Sequence, residues 1–86
     1  MIDSSAILIE RQFNTFILIK GRRHADCFRK ALIEGFPTSV YCTQGFVTDQ
    51  GEFLDREQAA IHALNCGQIT ELKYGGNILY SEDLWE

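Results

Sequence analysis

The spacing of the apolar residues changes twice along this 86-residue chain, and each change limits the folds it can adopt. Extended apolar runs at 6–9 and 13–19 give way after Gly21 to apolar residues three and four apart, up to Glu34. A second stretch with helical spacing begins after Asp55. Because side chains alternate along a strand and repeat every 3.6 residues along a helix, these changes mark boundaries between strands and helices.

Two helices and five strands follow from this pattern. We expect helices near 22–34 and 55–66, a short strand at 52–54, and further strands near 6–10, 13–20, 40–48 and 77–80. The run Phe16–Ile19 is apolar on both faces, which predicts a central strand.

Local signals support both helix predictions. Gly35 followed by Pro37 predicts the end of the first helix, and Gly67 that of the second. Asp55 and Gln58 form a capping-box pattern at the start of the second helix.

The predicted order is β-β-α-β-β-α-β, a small α+β fold with two helices packed on a mainly antiparallel sheet. The length predicts a single domain over residues 1–86. The apolar content of the first two strands exceeds what two short helices can cover. We therefore expect a homodimer or a higher homo-oligomer.

Charge and cysteine content narrow the function classes. A net charge of -4 disfavours duplex nucleic acid as a partner, since binding it needs an extended basic surface. No apolar run is long enough for a membrane span, and no signal peptide precedes Met1. The three cysteines, Cys27, Cys42 and Cys66, lack the spacing of metal ligands. We therefore expect them to be reduced thiols that serve as packing residues in a cytoplasmic protein. We expect no metal or cofactor.

Three polar clusters lie at the predicted ends of elements, namely Lys20–His24, Arg56–Glu57 and Ser81–Trp85. Arg22 and Arg23 at a helix start favour phosphate. His24 shares the face of Phe28, so it points to the sheet and is a candidate general acid or base. The alternative is a solvated basic turn with a half-buried histidine bonded to a carbonyl.

The other two clusters also allow two interpretations. Glu57 is ordinary in a first helical turn, whereas Arg56 is less expected there and could face the ligand of Arg23. The segment Ser81–Asp83 either caps a closing turn or supplies groups that order the arginines or act as acid and base, with Glu82 the candidate catalytic carboxylate. We hypothesise one pocket in which Arg23 and Arg56 hold phosphate and His24 donates to it or shuttles a proton.

Several segments together resemble a family of small, mostly uncharacterised bacteriophage and prophage proteins. The matching segments are Gly21–His24, Gln44–Thr48, Gly51–Ala59, Gly67–Ile69 and Leu79–Trp85. Their polar positions are Arg23, His24, Gln44, Arg56, Glu57, Gln68, Ser81, Glu82 and Asp83. Gln58 and Cys66 depart from the usual family residues, an acidic residue and alanine.

The resemblance implies an accessory phage protein in the cytoplasm of an infected or lysogenic bacterium. Small phage proteins of this kind often counter host defence, and some sequester or cleave nucleotide immune signals. By analogy, we expect the chain to bind, or cleave, a cyclic oligonucleotide or an ADP-ribose derivative. The alternative is a protein-interaction inhibitor of a host defence enzyme with no small-molecule ligand, anchored by edge strands and Trp85.

Overall fold

An antiparallel four-stranded sheet carries the fold in the computed structural model, which describes residues 1–11, 15–36 and 42–85. The strands, in the spatial order β2-β1-β3-β4, are β1 (Ile2–Arg11), β2 (Thr15–Gly21), β3 (Cys42–Thr48) and β4 (Phe53–Asp55). The helices are α1 (His24–Glu34), α2 (Arg56–Asn65) and the one-turn α3 (Ser81–Leu84). The predicted α+β class is confirmed.

The limits of α1 and α2 agree with the sequence signals to within one or two residues. Gly35 ends α1 with φ at 78°, in the left-handed region that glycine adopts without steric cost. At the start of α2, Asp55 Oδ1 accepts the backbone N–H of Gln58 at 2.8 Å. The Gln58 side chain in turn accepts the N–H of Asp55 at 3.0 Å. The predicted capping box is therefore confirmed.

Both long helices pack on the same side of the sheet. One buried cluster joins α1 to the middle and edge of the sheet and contains Ile7, Ile9, Ile19, Cys27 and Ala31. The other joins α2 to β3 and contains Ile2, Phe46, Ala59, Ala60, Ala63 and Leu79. The three alanines let α2 approach the strands closely.

The opposite side of the sheet stays partly open to solvent. We call this side the outer face; it bears Ser4, Ala6, Leu8, Glu10, Phe16, Leu18, Lys20, Thr43, Gly45, Val47 and Phe53. The prediction that 16–19 lie in a central strand is wrong, because β3 pairs with β1 and leaves β2 at the edge. The apolar residues of β2 that point away from the helices are exposed to solvent instead, Phe16 to 55% and Leu18 to 41%.

The predicted strand at 77–80 does not form. This extended segment lies against the start of α2, where the N–H of Leu79 donates to the Arg56 carbonyl at 3.1 Å, and α3 follows. Leu79 is fully buried in the α2 cluster, so packing of this side chain places the segment. The predicted starts of β2 at 13 and of β3 at 40 lie outside the described residues.

The three cysteines are free and occupy different environments. Cys27 lies in α1 and is buried against the sheet, and this burial raises the pKa of its thiol to about 11. Cys42 is half-buried, and burial raises the pKa of its thiol too. Cys66 is exposed just beyond α2, which corrects the prediction that it packs in the core.

Candidate functional site around His24 and the tail

The segment 79–85 folds back onto the start of α1 and brings together residues that are far apart in sequence. We call this assembly the tail site; its predicted members are Arg23, His24, Gln44, Arg56, Ser81 and Glu82. The elements that carry them are the turn before α1, β3, the first turn of α2 and α3. The structure thus brings these six residues together at the ends of four elements, whereas the ligand that they were predicted to bind stays a prediction.

His24 is the polar centre of the tail site. Its Nε2 lies 2.7 Å from the Gly45 carbonyl oxygen, and its Nδ1 lies 2.8 Å from Ser81 Oγ. Because a carbonyl only accepts, Nε2 carries the hydrogen and Nδ1 accepts from the Ser81 hydroxyl. Ser81 Oγ also accepts the backbone N–H of His24 at 3.3 Å. The histidine thus links α1, β3 and α3.

The surroundings of His24 favour the neutral imidazole. Burial lowers its pKa below the ordinary value of 6.5, although the Gly45 carbonyl opposes that shift. The positive charge of Arg56 lowers the pKa further, and the negative charge of Glu82 raises it. The ring also meets Phe46 edge-on, with centroids 4.9 Å apart. Both ring nitrogens are therefore engaged within the protein.

Arg23 fastens the tail to the turn before α1. Its Nη2 donates to the Trp85 carbonyl at 3.0 Å, and its Nη1 lies 3.6 Å from Glu82 Oε1. Both side chains of this ion pair are well exposed to water, so the pair contributes about 0–1 kcal/mol. Arg23 is therefore held in position but stays accessible to an anion.

Arg56 has a different environment. Its Nη2 donates to Gln44 Oε1 at 2.6 Å, and its Cζ lies 5.1 Å from the centroid of the Tyr80 ring. Its Nε is buried without a hydrogen-bond partner. Within the described part of the chain, Arg56 forms no ion pair. Its guanidinium contacts an amide and an aromatic ring, and none of the described carboxylates pairs with it.

Two predicted residues instead hold the chain together. Both oxygens of the buried Asp83 accept backbone N–H groups, from Lys73 at 2.8 Å and from Tyr80 at 2.9 Å. Gln68 exchanges two hydrogen bonds with the backbone of Ile2, at 2.7 and 2.9 Å. The capping interpretation of 81–83 thus describes Asp83, whereas Glu82 pairs with an arginine.

The remaining predicted residues border the tail site or lie beyond it. Arg22 is exposed, and its carbonyl accepts from the Ser5 hydroxyl at 2.9 Å. Glu57 is exposed in the first turn of α2. Among the described residues, neither side chain contacts the tail site, so their predicted ligand roles stay predictions.

Sequence reasoning missed two contributors. Tyr80 lies against Arg56 and meets Tyr74 edge-on, with ring centroids 5.4 Å apart. Gly45 supplies the carbonyl for His24. The position of Tyr80 next to Ser81 in the sequence could have suggested its role. The role of Gly45 could not be predicted, because it rests on a backbone carbonyl, which every residue has.

Two concave regions lie apart from the tail site. One, of about 500 Å³, is lined by Leu54, Gln58, Ile61, His62, Asn65 and Cys66. The other, of about 270 Å³, is lined by Met1, Thr48, Asp49, Gln50, Glu52 and His62. Among residues 1–11, 15–36 and 42–85, no three His, Cys, Asp or Glu side chains are grouped to hold a metal ion.

Among the described helices, none has the length and hydropathy required to cross a membrane.

Comparison with known proteins identifies a family for this chain. Neither the curated proteins nor the solved structures contain a match to the chain. The profile of a family described as "Phage T4 y16D protein" matches residues 1–85, almost the whole sequence. The chain therefore belongs to the phage T4 y16D protein family.

Proposed function

We propose that this phage protein is an accessory anti-defence factor that binds and sequesters a phosphate-bearing nucleotide in the bacterial cytoplasm. The observation that carries the proposal is the guanidinium of Arg56, which is partly buried, has one unpartnered nitrogen and pairs with no described carboxylate. A cation removed from water without a counterion is unfavourable, so an anion there is stabilising. A phosphate oxygen suits a guanidinium because the bond is charge-assisted.

Neighbouring side chains suit the other parts of a nucleotide. Arg23 adds positive charge beside the tail, and the exposed Arg22 precedes it in the same turn. Tyr74 is 63% exposed and contacts Tyr80, which packs on Arg56. An exposed aromatic ring beside a cation can stack on a base. Glu82 offers a carboxylate for a ribose hydroxyl.

Binding without cleavage fits the tail site better than catalysis. A general acid or base needs a free nitrogen or oxygen within hydrogen-bond reach of the substrate. His24 is 7% exposed and uses both ring nitrogens inside the protein. We therefore favour sequestration over the cleavage that the sequence left open.

The test is calorimetry or thermal shift with cyclic oligonucleotides, ADP-ribose derivatives and inorganic phosphate. We expect at least one nucleotide to bind and to be recovered intact by chromatography. Arg56→Gln should weaken that binding about ten- to a hundredfold, the effect of losing one charge-assisted hydrogen bond of about 1.5–3 kcal/mol. Arg29→Gln is the matched control, because Arg29 is exposed on α1 and pairs only with Asp26.

Two outcomes contradict the proposal. If Arg56→Gln and Arg29→Gln bind the nucleotide equally well, Arg56 is not the phosphate contact. If no nucleotide raises the melting temperature, the protein has no such ligand, and the alternative becomes preferred, an inhibitor that binds a host defence enzyme directly. A nucleotide that is consumed during incubation would identify an enzyme.

A further inference from the structure

The outer face of the sheet is unusually apolar for a surface without a helix on it. An antiparallel sheet that is covered on one side normally places polar residues on its other side. Here the exposed side of β2 carries Phe16 and Leu18, and Leu8 lies directly opposite Leu18 on β1. We propose that two copies of the chain pack outer face to outer face. The two-fold axis that relates them lies between the two sheets, parallel to them and perpendicular to the strands.

The strand register makes this face complementary to itself. An axis above the Leu8–Leu18 pair places this row over the same row of the second copy. Glu10 and Phe16 form a row two residues from this central pair, and Ala6 and Lys20 form a row two residues away in the opposite direction. The axis places the first row of each copy over the second row of the other copy. The large, exposed Phe16 thus meets a row in which β1 contributes only the small Ala6.

The charges on the outer face fit the same arrangement. The axis places Glu10 of one copy near Lys20 of the other, because the two side chains occupy opposite ends of adjacent strands. Within one chain they cannot pair, since Lys20 lies opposite Ala6, four residues or roughly 13 Å along β1 from Glu10. The symmetric dimer therefore gains two ion pairs at its rim, although each protomer has a net charge of -4.

The area of the outer face is adequate for a small interface. The four strands contain 10, 7, 7 and 3 residues. At about 3.3 Å per residue and about 4.8 Å between strands, they give roughly 430 Å² of flat surface. Protruding side chains make the accessible area larger than this. It thereby approaches the roughly 600 Å² per partner of the smaller specific interfaces.

Light scattering and sedimentation equilibrium at high micromolar concentration test the interface. We expect twice the 9.8 kDa mass of the chain for the unaltered protein. Leu18→Glu puts two carboxylates at the centre and should give the 9.8 kDa monomer. Ile33→Glu is the matched control on α1, where the side chain is 78% exposed, and should remain dimeric. Circular dichroism verifies that both variants fold.

A charge exchange tests the orientation of the two copies. Glu10→Lys should raise the dissociation constant about tenfold, because two attractive pairs become repulsive. Adding Lys20→Glu to the same chain should restore the original value. A monomeric unaltered protein overturns the proposal. A double variant as weak as Glu10→Lys overturns the two-fold arrangement, as does a Leu18→Glu protein that stays dimeric.

Discussion

Replacing His24 by alanine is the most direct test of its role as the polar link between α1, β3 and α3. The substitution removes the bond from Nε2 to the Gly45 carbonyl and leaves the buried Ser81 hydroxyl without its acceptor. It also removes the edge contact with Phe46. Each group left unsatisfied in the interior costs about 1–3 kcal/mol, and the aromatic contact adds about 0.5–1.5 kcal/mol.

These contributions sum to about 2.5–7.5 kcal/mol. Because the Ser81 hydroxyl can partly reorient, we expect a cost of about 3–5 kcal/mol. A domain of this length has a total stability of only about 4–13 kcal/mol. The loss would lower the melting temperature by more than about 12 °C, at about 4–8 °C per kcal/mol. Urea denaturation followed by circular dichroism measures the difference directly.

His62→Ala is the matched control, since His62 is half-buried on α2 and its Nε2 has no hydrogen-bond partner. It should cost less than about 1 kcal/mol. Equal effects of the two substitutions would refute the linking role of His24. So would a His24→Ala protein that unfolds at the same urea concentration as the original.

The burial of His24 also makes the stability of the fold depend on pH. Burial lowers the pKa of His24 in the folded protein below its value of 6.5 in the unfolded chain. Above pH 6.5 both states are neutral, and the stabilisation is complete. As the pH falls toward the lower folded pKa, only the unfolded state takes up a proton, so stability declines by up to about 1.4 kcal/mol per pH unit. This part of the pH dependence should disappear in His24→Ala, with Arg56 and Glu82 unchanged.

Two further substitutions test the backbone around the tail site. A Cβ on Gly45 would stand 2.6 Å from Phe53 Cζ and closer still to the Leu54 carbonyl oxygen, so Gly45→Ala should cost about 1–3 kcal/mol by urea titration. A cost below 0.5 kcal/mol, about the level of a neutral surface change, would contradict this close packing. Asp83→Asn replaces one of the two carboxylate oxygens that accept backbone N–H groups by an amide group that cannot accept, so it should cost about 1.5–3 kcal/mol. The control Glu82→Gln changes only an exposed ion pair and should cost less than about 1 kcal/mol. Equal costs would show that Asp83 does not anchor the tail.

The sequence was informative where local chemistry determines the structure. Gly35 and the Asp55–Gln58 pair act within four residues of their own positions, so their effects could be predicted without the tertiary fold. The side of α1 that His24 occupies followed from helical spacing alone.

The predictions from the sequence were wrong where contacts with a distant segment determine the local structure. Whether β2 is central or at an edge depends on which strand β3 joins, and the apolar pattern of β2 is compatible with both. The segment 77–80 has the composition of a strand, but Leu79 is buried against α2. Likewise, Gln68 and Asp83 are polar residues whose backbone partners could not be identified from the sequence.

The fastening of the tail to the turn before α1 has a consequence for the order of folding. His24 contacts a partner 57 residues later, and Arg23 one 62 residues later. Closing so long a loop is slow and entropically costly, so such contacts form after the local ones. During translation the hairpin and α1 can assemble on the ribosome while the tail is still unmade. The proposed nucleotide binding would then depend on docking of the segment 79–85, so ligand binding would report that this fold has fully assembled.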